Sequence, residues 1–149
     1  MKKLALVVLL AVFGVTAASA QILTPVKWQF AAKKVNSKEA IVMMRATIDE
    51  GWRIYSQTTP DGGPVKTSFN FESSKDYSLV GETTEPKPKS KFEEVFGMNV
   101  PYFDKEVVFQ QKVKLNKGQT VVKGTVEFMS CDNERCLPPD EVAFSIQIK

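Results

Sequence analysis

Residues 107–128, VVFQQKVKLNKGQTVVKGTVEF, carry apolar side chains at alternate positions on both sides of a short polar segment. The alternating residues are Val107, Phe109, Val113 and Leu115 before that segment, and Val122, Gly124, Val126 and Phe128 after it. A period of two is typical of a strand with one buried face. Because Asn116-Lys117-Gly118 is a turn signal, the stretch predicts a β-hairpin.

The same alternation recurs on both sides of this stretch. It is cleanest in residues 142–148 and clear in residues 42–48, and weaker strand candidates cover residues 26–35, 52–57, 67–72 and 77–83. Clusters of Asn, Asp, Gly, Pro and Ser separate the candidates. About eight short strands without a long amphipathic helix predict an all-β domain, an immunoglobulin-like antiparallel β-sandwich, with a small barrel as the alternative.

Residues 85–98 interrupt this pattern. The segment 85–91, EPKPKSK, combines prolines with three lysines and predicts an extended, solvated connector. Residues 92–98, FEEVFGM, place two aromatic residues, a valine and a methionine in a predicted loop. From composition alone, these side chains would cover the end of the sandwich.

The amino terminus has the layout of a secretory signal peptide. Lys2 and Lys3 precede an apolar run of about a dozen residues, and Ala18-Ser19-Ala20 supplies small residues for cleavage. The run is shorter than the roughly 20 residues that a spanning helix needs. We therefore predict a signal peptide over residues 1–20 and one exported domain over residues 21–149, periplasmic in a double-membrane bacterium and not inserted in the membrane after cleavage.

Charge and composition exclude several classes of function. The chain has 20 basic and 17 acidic residues, and removal of the leader with its two lysines leaves 18 against 17, or +1. A nearly neutral domain releases few counterions from a nucleic acid, so we expect no nucleic-acid partner. The absence of histidine excludes Ser/His and Cys/His dyads and histidine-liganded metals. We expect no metal and no other cofactor.

Both cysteines lie in one polar stretch, Cys131 and Cys136, with four residues between them. Two cysteines this close tend to pair in an oxidising compartment. A bridge that closes so short a loop adds little stability, and 129 residues can bury a core without it. The residues leave a structural and a redox-active disulfide about equally supported, with an exported two-cysteine metal carrier as a weaker third hypothesis.

At these cysteines the sequence resembles a known family. Residues 126–144, VEFMSCDNERCLPPDEVAF, resemble the cysteine region of the amino-terminal periplasmic domain of the disulfide reductase DsbD. Two further stretches support the resemblance: residues 51–56, GWRIYS, are similar to a family strand that presents an aromatic residue to the site, and residues 92–97 are similar to the family's cap loop.

The resemblance implies a thiol-disulfide relay with protein-disulfide reductase activity. Cys136 would form the mixed disulfide with a partner and Cys131 would resolve it. Val95 and Phe96 would shield the pair as the cap loop, and Tyr55 would pack nearby. The implied partners are a separate membrane or thioredoxin-like electron donor and periplasmic thioredoxin-fold proteins involved in disulfide isomerisation and cytochrome c maturation.

Two features depart from the family pattern. Well-known members separate the cysteines by five residues rather than four, and Val95 stands where an aromatic residue is expected, with Phe96 as its substitute. The chain also ends at Lys149 without the family's transmembrane and thioredoxin-like parts, so the reductant is expected to be a separate protein. The main competing hypothesis is a non-redox exported binding module with a structural disulfide.

Overall fold

A computed structural model describes residues 20–149 of the protein. The predicted signal peptide, apart from Ala20, lies outside the described residues. Within them there is no helix of the length and apolar character needed to cross a membrane.

The described chain is built from strands joined by turns and loops, as the alternating pattern predicts. The strands are β1 (Val26–Lys34), β2 (Glu39–Ile48), β3 (Arg53–Tyr55), β4 (Ser68–Phe71), β5 (Tyr77–Thr84), β6 (Lys89–Glu93), β7 (Met98–Phe103), β8 (Glu106–Leu115), β9 (Thr120–Phe128), β10 (Ser130–Cys131) and β11 (Asp140–Ile148). The all-β prediction is confirmed.

The strands form three sheets in which every pairing is antiparallel. The first sheet has the order β1-β2-β8-β5, the second β11-β9-β4 and the third β10-β3-β7-β6. The strands of the third sheet are short, with two to six residues each. The first two sheets supply most of the buried apolar residues, and the third contributes Ile54 and Phe103 to the same cluster. We call this cluster the main core.

Aromatic side chains link the two large sheets across the main core. The ring of Phe30 on β1 lies 5.0 Å from that of Phe144 on β11, and the ring of Phe69 on β4 lies 5.0 Å from that of Phe109 on β8. Phe109 is fully buried. Burial of this many aromatic and β-branched side chains supplies the hydrophobic stabilisation that a domain of this size needs.

The predicted hairpin over residues 107–128 is wrong, although both of its strands exist. β8 pairs with β2 and β5, whereas β9 pairs with β11 and β4. The intervening turn crosses from one sheet to the other. Alternation specifies only that one face of each strand is buried, and two strands that pack face to face across a core satisfy this as well as two that pair side by side.

Residues 85–98 are more ordered than the sequence pattern indicates. Lys89, Ser90 and Lys91, predicted to lie in a connector, begin β6, which pairs with β7 along the edge of the third sheet. Lysines are suited to an exposed edge strand because their charge opposes pairing with another chain. The predicted loop at residues 92–98 is therefore the end of a hairpin, with residues 94–97 forming its turn.

Candidate redox site

The two cysteines are joined in a disulfide at the edge of the third sheet that is formed by β10. Cys131 and Cys136 have Cα atoms 4.0 Å apart and bonded sulfur atoms. Cys131 belongs to β10, where it lies opposite Arg53 of β3. The backbone N–H of Leu137 donates to the carbonyl of Ser130 over 2.9 Å, and this bond returns the chain past β10.

The disulfide is asymmetric in its exposure. Cys131 is completely buried, whereas Cys136 is exposed to solvent. A thiolate approaching from solution therefore meets Cys136 and not Cys131. Thiol-disulfide exchange depends on which sulfur is accessible to the attacking thiolate, so this arrangement directs the attack to one side of the bond.

Cys131 is buried in a small apolar cluster that is separate from the main core. Its fully buried members are Tyr55, Val100 and Cys131, and the partly buried residues packed against them are Met98, Tyr102 and Met129. Tyr55 thus lies in the same cluster as the cysteine near which the family resemblance places it. Burial, and next the charge of Glu93, raise the pKa of Tyr55 to about 12, so its hydroxyl stays protonated at neutral pH.

The four residues between the cysteines form a hydrogen-bonded turn. The carboxylate of Asp132 accepts the backbone N–H groups of Glu134 and Arg135 over 2.8 and 2.7 Å, and the Asp132 N–H donates to the Arg135 carbonyl over 2.9 Å. The N–H groups of Glu134 and Arg135, in that order of effect, hold the pKa of Asp132 below its ordinary value. The guanidinium of Arg135 lies 5.7 Å from the ring centroid of Trp52, which adds a cation–π contact.

A buried arginine connects this turn to the rest of the site. Arg53 is 6% exposed and donates to the carboxylate of Glu93, from Nε over 2.5 Å and from Nη2 over 3.2 Å. Its Nη2 also donates to the carbonyl of Asp132 over 2.8 Å, and its Nη1 donates to Oδ1 of Asn133 over 3.2 Å. Burial alone would lower the pKa of Arg53, but the hydrogen bond to Glu93 and the nearby acidic groups outweigh it and raise that pKa.

Glu93 also supports the turn of the β6–β7 hairpin. Its carbonyl accepts the N–H groups of Phe96 and Gly97 over 3.1 and 2.8 Å. Gly97 has a φ of 64°, a left-handed conformation that glycine adopts without steric cost. Val95 at the tip is 81% exposed, and Phe96 is partly buried.

The structure thus brings Cys131, Cys136 and Tyr55 together, and it places Val95 and Phe96 on the turn of the neighbouring hairpin. Shielding of the cysteines by these two residues stays a prediction, because Cys136 is exposed in the structure. Three residues of the site were missed by sequence reasoning, namely Arg53, Glu93 and Asn133. One feature of the sequence could have identified Arg53. In a strand, Arg53 and Tyr55 lie on the same face, which places a charged side chain on the face that carries the buried aromatic residue.

Comparison with known proteins agrees with the fold and with the family that the sequence resembles. The sequence profile of the family described as thiol:disulfide interchange protein DsbD, N-terminal, matches residues 19–148. A search of curated protein sequences found no match.

Three solved structures are similar in fold. The DsbD n-terminal domain of Neisseria meningitidis in the reduced form has a TM-score of 0.54 and 19% identity, over 80% of this chain and 83% of that chain. The complex between the DsbD N-terminal and PilB N-terminal domains from the same organism gives 0.55 and 18%, over 84% and 87%. The N-terminal periplasmic domain of ScsB from Proteus mirabilis gives 0.56 and 21%, over 83% of this chain and 44% of that chain. This agreement confirms the immunoglobulin-like sandwich predicted from the sequence.

Proposed function

The chain belongs to the family of DsbD amino-terminal domains, and from that membership we propose that it is an exported thiol-disulfide interchange relay. The Cys131/Cys136 pair would accept two electrons from a membrane or thioredoxin-like reductant. It would then pass them to thioredoxin-fold proteins in the periplasm, including proteins of cytochrome c maturation. A complex with a PilB domain is described for a structurally similar DsbD domain, which is consistent with thioredoxin-like partners for this chain.

The observation that carries the proposal is the unequal exposure of the two sulfur-bearing residues. Cys136 is exposed and Cys131 is completely buried in the Tyr55 cluster. A relay needs one cysteine that a partner can reach and one that is kept away from partners but remains next to the first. A purely structural bridge has no need of this difference.

Loading of the relay takes two exchange steps. A thiolate of the reductant attacks Sγ of Cys136, a new S–S bond forms between them, and the electron pair of the broken bond leaves on Sγ of Cys131, which then takes up a proton. The second cysteine of the reductant, as a thiolate, then attacks the sulfur of the reductant's first cysteine in the mixed disulfide. This releases Cys136 as a thiolate and leaves the reductant with an internal disulfide.

Unloading follows the same steps in reverse order with a different protein. The Cys136 thiolate attacks the disulfide of the target and forms a mixed disulfide, while one target sulfur leaves as a thiolate. Cys131, deprotonated, then attacks Sγ of Cys136, restores the intramolecular disulfide and releases the second target sulfur. Two electrons reach the target in each cycle, and no cofactor takes part.

Trapping of a mixed disulfide tests the proposal. A Cys131→Ala variant is mixed with a purified thioredoxin whose resolving cysteine has been replaced and whose remaining cysteine has been activated as a mixed disulfide with thionitrobenzoate. We expect a covalent complex through Cys136 and release of the coloured thiol. The matched Cys136→Ala variant, whose remaining thiol is buried, should react far more slowly. Equal rates for the two variants, or no complex with either, would contradict the proposal.

The reduction potential separates the relay from a binding module with a structural disulfide. Structural disulfides in secreted proteins typically lie below about −300 mV, whereas a relay must lie within reach of thioredoxin-like proteins. We expect the Cys131/Cys136 couple to equilibrate with such proteins in a redox titration. A potential far below that range would favour the binding module.

A further inference from the structure

The guanidinium of Arg53 links three segments of the redox site, namely β3, the end of β6 and the cysteine turn. Its four hydrogen bonds run from β3 to the Glu93 carboxylate at the base of the β6–β7 turn, to the Asp132 carbonyl next to Cys131, and to the Asn133 side chain in the cysteine turn. Arg53 is also the residue directly opposite Cys131 in the β10–β3 pair. Opposed residues of an antiparallel pair project on the same face, so Arg53 and Cys131 are neighbours.

None of these hydrogen bonds involves sulfur. The acceptors of Arg53 are a carboxylate, a backbone carbonyl and a side-chain amide oxygen. Opening of the disulfide therefore removes no acceptor from Arg53. The guanidinium can hold the Asp132 carbonyl and Asn133 in the reduced protein as it does in the oxidised one.

We propose that Arg53 is a positioning residue for the cysteine pair, which keeps the turn between Cys131 and Cys136 in its closed geometry after the disulfide opens. This positioning role of Arg53 goes beyond the relay role. Only its purpose in the cell rests on the proposed function. A turn that stays ordered holds the two thiols at a high effective concentration relative to each other. Without Arg53, the reduced turn gains conformational freedom that must be lost again when the disulfide re-forms.

The property to measure is the equilibrium of the protein with glutathione. The reaction is protein dithiol plus glutathione disulfide giving protein disulfide plus two glutathione thiols, so two electrons move from the protein to glutathione. Its equilibrium constant has the units of concentration and equals the effective concentration of the two protein thiols. No partner protein takes part, so the result is independent of whether the relay proposal holds.

The informative variant is Arg53→Met/Glu93→Met, which replaces both members of the buried ion pair by apolar side chains of similar length. Removal of one member alone would leave a buried unpaired charge, whereas replacement of both is often nearly neutral for stability. We expect the equilibrium constant to fall about tenfold, which raises the reduction potential by about 30 mV. Unfolding by urea, measured in parallel, shows whether the variant remains folded.

Arg45→Met is the matched control. Arg45 forms an ion pair with Glu106 over 3.5 Å at the surface, with about half of each side chain exposed, and it makes none of the contacts of Arg53. This variant should keep the wild-type equilibrium constant. If Arg45→Met lowered the equilibrium constant as much as the Arg53→Met/Glu93→Met variant, the effect would not be specific to Arg53, and this would overturn the proposal.

A second variant keeps the test decisive if the double variant fails to fold. Asn133→Ala, at an exposed position, removes one of the four hydrogen bonds of Arg53, together with the one that Lys91 Nζ donates to the same oxygen over 2.9 Å, and we expect it to lower the equilibrium constant about two- to threefold. A folded double variant with the wild-type constant would overturn the proposal. If the double variant does not fold, an unchanged constant in Asn133→Ala would overturn it.

Discussion

The main core and the redox site are stabilised by different means. The main core lies between two large sheets and consists of apolar side chains, with Phe109 completely buried among other aromatic rings. In the part of the chain that the structure describes, the apolar cluster of the redox site has three fully buried members, Tyr55, Val100 and Cys131, and hydrogen bonds of Arg53, Glu93 and Asp132 hold the turns beside it.

This difference separates stability from reactivity within one small domain. Hydrophobic burial is non-directional and scales with area, so we expect the main core to keep the domain folded when the disulfide opens. Hydrogen bonds are directional and worth less each, so they can hold a short turn in place without making it part of the core. A disulfide that opens and closes is best placed in the second environment.

The largest expected effect tests the dominance of the main core. Phe109→Ala removes a completely buried ring from between the two large sheets, and we expect a loss of about 3–5 kcal/mol in the free energy of unfolding. Urea unfolding followed by tryptophan fluorescence measures it. Val121→Ala, on the partly exposed face of β9, is the control and should change stability by less than about 0.5 kcal/mol. A Phe109 variant as stable as the control would contradict the assignment of the main core.

The next effect concerns the disulfide as a source of stability. The Cys131→Ser/Cys136→Ser variant loses a bridge that closes a very short loop, so we expect a cost of at most about 2 kcal/mol and a folded protein. The same unfolding measurement, made on wild type with and without reductant, should give a similar difference. A double variant that does not fold would show that the redox site supports the main core, and would favour a structural disulfide.

A smaller effect concerns the turn of the β6–β7 hairpin. If Phe96 shields the cysteines of the reduced protein, Phe96→Ala should speed alkylation by iodoacetamide severalfold with little change in stability. Val95→Ala is the matched comparison and should have a smaller effect, because Val95 is 81% exposed. An unaltered alkylation rate together with a large drop in melting temperature would show that Phe96 serves packing instead.

The smallest effect is a pH dependence of the cysteine turn. The N–H groups of Glu134 and Arg135 lower the pKa of Asp132 in the folded protein. The ionised carboxylate therefore stabilises the fold above the pKa that Asp132 has in the unfolded chain, and this contribution is lost as the pH falls through the lower, folded pKa. Asp132→Asn should be less stable than wild type at pH 6, and the difference should shrink near pH 3. A difference that is the same at both pH values would exclude the charge as its cause.

Much of the secondary structure was predictable because burial on one face of a strand leaves a period of two in the chain. Every strand candidate of the sequence analysis corresponds to a strand, including β11 and the weaker β1 and β5. The pairing was not predictable to the same degree. β8 and β9 have the pattern of a hairpin yet belong to different sheets, since alternation carries no information on which neighbour a strand pairs with.

Some residues of the redox site could likewise be predicted from the sequence, and others could not. Cys131 and Cys136 were identifiable because their spacing and neighbours are local properties of the chain. The contacts of Arg53 were not, because they join residues 40 and 80 positions apart in sequence. Only the packing of β3 beside β10, with β6 nearby in the same sheet, brings those residues together.

By itself, then, the sequence determined the all-β class, the cysteine pair and the family, all of which depend on residue type and short-range order. Tertiary structure alone decided that Cys131 is buried and Cys136 exposed, although both lie in one polar stretch of the chain. The physical reason is that exposure depends on what packs against a residue. Cys131 pairs with β3 and packs with Tyr55 and Val100, whereas Cys136 follows the turn and, among the described residues, its one bridge partner is Cys131 itself.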